Sequence, residues 1–328
     1  MKHLLPAVVA GVGRRWLARF SRLYLLVCLT ALLVLLVGQG DLLATVRPRA
    51  PAWTGLAILL VALTHLFAVA FTRHVLATLG SPASAVLAAD VHLRFLPTRY
   101  LPGGVWHTLG RLEQLRRAGL PLSRASLLPI AESIAAVSAA LLIAAVLTLS
   151  APPVGTWMLI SALAIAGAGS LLPALEAARA PPALLAACAM LGFWVCQQLA
   201  FGCFLVSLEL AGAEPAPATG HWALAWALGH LAVFAPQGIG VSEFVYAQLL
   251  DSGLAAALTV SAFRLVQALG DLLAWLAWLA WRRCATATQL REGGCGPDTP
   301  GTPPPTPRDP PAKSGIPISA ADEPAGSH

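Results

Sequence analysis

Ala235-Pro236-Gln237-Gly238-Ile239-Gly240 divides the apolar stretch 220–250 near its middle, and Leu101-Pro102-Gly103-Gly104 divides 84–117 in the same way. Proline has no N–H to give a helix and glycine tolerates backbone angles that other residues avoid, so each segment ends one helix and begins another. The halves on either side are too short to cross a bilayer, which takes about 20 apolar residues of helix. A chain that enters the membrane, turns on such a tip and leaves by the side it came from is a re-entrant helical hairpin. Its broken backbone must be sheltered by protein or line a polar cavity.

The two tips are 134 residues apart, pairing Pro102 with Pro236 and Gly104 with Gly238. The same offset carries Gly119 to Gly253 and takes the apolar runs 23–38, 53–71 and 125–149 onto 154–172, 183–210 and 255–281. Each half therefore reads span, span, hairpin, span. An odd number of full crossings per half makes the second copy start from the opposite side, which is the inverted-topology repeat of secondary transporters. The expected fold is an all-α polytopic integral membrane protein with six full spans plus two re-entrant helical hairpins. Residues 1–22 form a basic cytoplasmic segment, 23–150 the first membrane repeat, 151–283 the second, and 284–328 a disordered Pro/Gly-rich cytoplasmic tail.

Composition agrees with a membrane solvent: the mean hydropathy is +0.73 and 11% of residues are charged. A formal charge of +6 raises nucleic acid as a partner, but the basic residues flank apolar runs and form no single stripe, so none is expected. Basic residues instead set orientation. Lys2, Arg14, Arg15, Arg19 and Arg22 precede the first run; Arg111, Arg116, Arg117 and Arg124 follow the first hairpin; Arg282, Arg283 and Arg291 follow the last run. Only Arg47 and Arg49 fall on the other side, which predicts both termini in the cytoplasm and a multi-pass protein of the cytoplasmic membrane. The basic stretch before the first run, with no small-x-small pattern after it, argues against a cleaved signal peptide.

Ionisable residues inside spans cost about 2.5–3.5 kcal/mol each on insertion scales, so each needs an account. Ser261, Arg264, Gln267 and Asp271 share one face of the last span and turn it inward; Arg264 and Asp271 either pair along the helix or serve a substrate. Glu132 lies in the third span. Glu243 follows Gly240 at the start of a helix, where the dipole favours a carboxylate, and is also in reach of Arg264. Arg99 stands just before the first tip, where Gly103 and Gly104 offer backbone N–H groups to a phosphate-bearing headgroup, unless the arginine simply snorkels to the interface. The candidate substrate-binding set is therefore Arg99, Pro102, Gly103, Gly104, Arg111, Glu132, Pro236, Gly238, Gly240, Glu243, Arg264, Gln267 and Asp271.

Other signals point to packing. His65, His92, His107, His221 and His230 lack metal-ligand spacing, the six cysteines form no C-x-x-C pair, and Gly238-Ile239-Gly240 lacks the rest of a dinucleotide fingerprint. No metal, cofactor or nucleophilic catalytic set is expected. Trp157, Trp222, Trp275, Trp278 and Trp281 read as interfacial anchors.

These residues resemble a known family. Arg99-Tyr100-Leu101-Pro102-Gly103-Gly104-Val105-Trp106-His107, with Gly110-Arg111 and Glu132, looks like the first signature of the lysylphosphatidylglycerol synthase transmembrane-region family, a flippase-like membrane domain. Ala235 through Glu243, followed by Arg264-Leu265, is similar to the second signature; Gln237 replaces its second glycine and Ser242 stands where a basic residue is common. The resemblance spans roughly residues 15 to 285. It implies movement of membrane lipids, such as an anionic phospholipid or a lipid-linked carrier, across the bilayer. The chain ends in a low-complexity tail where aminoacylating members carry a transferase, so no aminoacyl transfer is expected. The other readings are a proton-coupled carrier of a small anion, working through Glu132 or Asp271, and a non-transporting partner of a separate enzyme. A homo-oligomer or a separate synthase as partner stays open.

Overall fold

The computed structural model describes residues 46–100, 106–148, 180–209, 215–232, 235–250 and 253–293. The apolar runs 23–38 and 154–172, the first tip with Pro102, Gly103 and Gly104, and the tail beyond 293 lie outside the described residues. Among the described residues the structure is helical and contains no strand. Residues 1–283 form one compact unit and 284–328 a second, of which the end of the last helix is described.

The first described helix, α1, runs Pro51–Thr78. It is followed by α2 (Ala85–Leu93), a 3-10 turn at Leu96–Tyr100, α3 (Trp106–Arg117), the single turn α4 (Leu122–Ala125) and α5 (Leu127–Leu147). A similar order follows, without a counterpart of α4, as α6 (Ala180–Leu208), α7 (Pro215–Leu231), a 3-10 turn at Pro236–Gly238, α8 (Val241–Leu249) and α9 (Gly253–Gly293). Among the described residues four helical stretches are long and apolar enough to cross a membrane, namely Pro51–Thr78, Leu122–Leu147, Pro181–Leu208 and Gly253–Ala285, as an all-α membrane protein requires.

Local chemistry sets the boundaries. Pro51 opens α1, where a missing N–H costs nothing. Ser84 caps α2 by accepting the Leu87 N–H. At the end of α3, Gly119 adopts φ +92°, and the Leu120 N–H reaches the Leu115 carbonyl while its own N–H reaches that of Arg116. That Schellman cap satisfies carbonyls the helix would otherwise leave orphaned.

Without a hydrophobic drive between helices in lipid, close packing depends on small residues. The α1–α6 contact is the broadest among the described helices, and Gly192 seats there against the ring of Phe67. Gly270 does the same for α9, lying so near Val61 that a Cβ would stand 2.5 Å from its side chain and 3.0 Å from the Ile58 carbonyl. On its outer side α9 carries Leu265, Leu269, Leu272 and Leu276, an exposed stripe at helical spacing that suits lipid. The second half has an aromatic core in which Trp194, Phe201, Trp222, Tyr246 and Phe263 join α6, α7, α8 and α9 with centroids 4.6–5.9 Å from their neighbours. Trp222 is thus a core residue stacked on Phe201, and Trp278 is buried as well; neither is the interfacial anchor its place near a span end suggests. Trp281 is exposed.

Candidate functional site

Two helix breaks and two long helices bring the ionisable residues together. Gly270 allows α9 to approach α1 at Val61, so the next residue, Asp271, meets His65 one turn further along α1. The side chain of Asp271 is 7% exposed and accepts from His65 Nε2 at 2.9 Å, from Arg99 at 3.1 Å and from the Tyr100 hydroxyl at 2.8 Å. A carboxylate only accepts, so His65 carries a proton on Nε2; its Nδ1 lies 3.0 Å from His92 Nε2 and accepts from it when the His65 imidazole is neutral. Nδ1 of His92 is left with no partner among the described residues, as is Nε2 of His107, whose ring lies edge-on to that of His92 with centroids 6.4 Å apart.

The second break has its own network. Gln237 (φ +53°), Gly238 (φ +68°) and Gly240 (φ +86°) all lie in the left-handed region, which breaks the helical path between α7 and α8. Glu243 folds back to accept the Gly240 N–H at 2.7 Å, occupying the positive end of α8 with a carboxylate of the chain itself. The same carboxylate takes Arg264 Nε at 2.5 Å, while Arg264 also donates to Ser242 Oγ and to the Gln237 carbonyl. Both the capping role and the arginine contact expected of Glu243 are thus present. Arg264 and Asp271 do not pair along the helix: they are two turns apart, and each has nearer partners on other elements.

One hydrogen bond joins the two networks. Gln237, at the second break, donates to the Arg99 carbonyl at 2.6 Å, two residues before the first break. Since a non-glycine residue with φ near +53° costs roughly 1–2 kcal/mol, the side-chain bond offsets strain that a glycine would not carry. Replacing Gln237 with alanine keeps the strain and loses the bond, so stability in detergent should fall by about 0.6–1.7 kcal/mol, the range for interhelical hydrogen bonds in membranes. Gln237→Gly loses both and should leave the thermal midpoint near that of the native protein.

Arg111 is not an exposed basic flank. Its side chain is 5% exposed and donates to Glu132 at 2.6 Å, because its face of α3 is turned to the bundle; Arg116 and Arg117 on the outer face pair with Glu113. Hydrogen bonds from those two guanidiniums hold the exposed Glu113 carboxyl down at about 2. The pairs Arg111–Glu132 and Glu243–Arg264 are similarly placed in the two halves, two residues out of step with the offset of 134 that pairs the prolines. Each ties the helix after a break to the long helix that follows, each spans 21 residues, and the order of charges is reversed. Gln267, one turn beyond Arg264, is half-buried.

Sequence reasoning missed His65 and Tyr100 as partners of Asp271 and His92 as the partner of His65, and missed Asp90, which accepts the indole N–H of Trp278 at 3.0 Å and pairs with Arg282 at 3.3 Å. A rule that singles out every ionisable group in an apolar run would have found the histidines, since His65 sits midway along α1. No group of metal-ligating side chains occurs among the described residues. Compared with protein-family models, curated proteins and solved structures, the chain matches none.

Proposed function

We propose that this protein moves a phosphate-containing lipid across the cytoplasmic membrane, as a carrier and not as a catalyst of bond making. In this reading six spans and two re-entrant hairpins form an inverted repeat with both termini in the cytoplasm, and the hairpin tips shelter each other at mid-membrane. The observation that carries it is the Gln237 link to Arg99, which joins charged side chains from both halves into one region at the two helix breaks. Buried charge of this kind is costly in lipid, and a headgroup that must cross needs such a polar region on its path. Half-exposed Arg99 has N–H groups beyond the one held by Asp271, and these suit a phosphate. The resemblance of both break segments to the lysylphosphatidylglycerol synthase transmembrane-region family supports the same class of cargo.

The test is reconstitution into liposomes holding a fluorescent anionic phospholipid, with a leaflet-specific quencher. Wild type should move the lipid, and Arg264→Ala and Glu243→Gln should each slow it about tenfold or more, the rate equivalent of losing about 1.4 kcal/mol. Equal rates with and without protein, across several anionic lipids, would remove the reading.

A further inference from the structure

Charge balance at Asp271 limits what Arg99 can bind. With a neutral His65 donating to Oδ1, the Arg99 guanidinium and the Asp271 carboxylate cancel. Arg111 is likewise cancelled by Glu132, and Arg264 by Glu243. A monoanion arriving on Arg99 leaves the region one negative charge in excess, beside a carboxylate that is itself 7% exposed and poorly screened. The groups facing His65 and its partner His92 are Asp271 from α9, Arg99 and Tyr100 from the 3-10 turn, and His107 and Arg111 from α3. Among these, the imidazoles form the chain through which a compensating proton can travel.

We propose that anion binding at Arg99 is coupled to uptake of one proton by His65, delivered through His92. This rests on the lipid-carrier reading above for the identity of the cargo, but its chemistry requires only a phosphate-bearing anion. The tautomers set the direction of the relay. A proton from water, entering by way of His107, adds to the free Nδ1 of His92; the Nε2 proton of His92 then passes to Nδ1 of His65 across 3.0 Å. His65 becomes an imidazolium that holds Asp271 alone, Arg99 turns to the anion, and the local charge returns to zero. No bond other than N–H is made or broken, and departure of the anion sends the proton out. Crossing from His107 to His92 takes a water or a ring rotation, since the ring centroids are 6.4 Å apart. His/Asp chains of this kind are the usual proton paths of membrane carriers, and His65 stands 14 residues from the start of α1, about 21 Å along a 28-residue helix and so near mid-membrane.

The experiment uses proteoliposomes with a trapped pH dye, assayed with fluorescent phosphatidylglycerol in one leaflet and, separately, with inorganic phosphate outside. Expected for wild type is lipid movement that rises several-fold from pH 8 to pH 6, accompanied by proton entry. His65→Asn keeps a donor for Asp271 and cannot titrate; it should lose the pH response, as should His92→Asn, with thermal midpoints confirming that both fold. Lipid movement with a flat pH profile in wild type, or an unchanged profile in both variants, overturns the coupling and leaves the carrier reading intact. No lipid movement but proton-linked phosphate uptake keeps the coupling and overturns the lipid cargo. Movement of neither overturns both.

Discussion

Gly238→Ala should destabilise the protein by roughly 2–5 kcal/mol, the sum of about 1–2 for placing an L residue in the left-handed region and about 1–3 for forcing atoms into a filled space. The residue has φ +68°, and a Cβ there would lie 2.7–2.9 Å from the carbonyl carbon, oxygen and Cα of Gly229. Those are backbone atoms of α7, so no side-chain rotation can make room. The displacement would also spread. Gly238 donates to the Ala235 carbonyl, its own carbonyl holds Ser242 Oγ, and the neighbouring Gln237 carries both the link to Arg99 and a carbonyl taken by Arg264. Thermal unfolding in detergent should show the loss. Gly229→Ala should be milder, because its Cβ would meet Ser242 at 3.1–3.2 Å and Gly238 at 3.4 Å. Gly55→Ala, with nothing within 4 Å, should be neutral or slightly stabilising. A Gly238→Ala midpoint equal to that of Gly55→Ala would mean that α7 and the break are not in backbone contact.

The helical architecture was legible because a bilayer imposes coarse rules. Length and apolarity alone mark the four described helices that overlap 53–71, 125–149, 183–210 and 255–281, and proline with glycine marks the break at 235–240. Periodicity put Arg264 and Asp271 on the inward face of α9, which the outward leucines of the same helix bear out. Partner choice was much less legible. His65 and Asp271 are 206 residues apart, and only the absence of a Cβ at Gly270 brings their helices close enough to bond. Trp278 shows the same limit: a tryptophan near a span end suits the interface in general, and here Asp90 on another helix supplies a buried acceptor for its indole. Sequence spacing reports which face of a helix a residue occupies; what it meets there depends on crossings set by small residues elsewhere.

The two similarly placed ion pairs should respond unequally to loss of their carboxylates, and Glu132→Ala should be the costlier change. Removing one partner of a buried pair leaves an uncompensated charge, typically at about 3–5 kcal/mol, whereas replacing both partners with apolar residues of similar volume is often neutral. Arg111 has little to fall back on. Its Nε and Nη2 have no partner among the described residues, its side chain is 5% exposed, and Glu132 is its acceptor. Because Glu132 is itself 29% exposed, some solvent reaches the pair, and the low end of that range, about 3 kcal/mol, is the expected loss. Arg264 differs in both respects: at 25% exposure it keeps the Gln237 carbonyl and Ser242 Oγ when Glu243 is truncated, so Glu243→Ala should cost less in stability. The check is a double-mutant cycle by thermal or denaturant unfolding, with Glu132→Met, Arg111→Met and the double variant. Recovery of most of the lost stability in the double variant identifies a stranded guanidinium as the cause; additive losses would show that the two side chains act independently and that burial of Arg111 does not depend on its carboxylate.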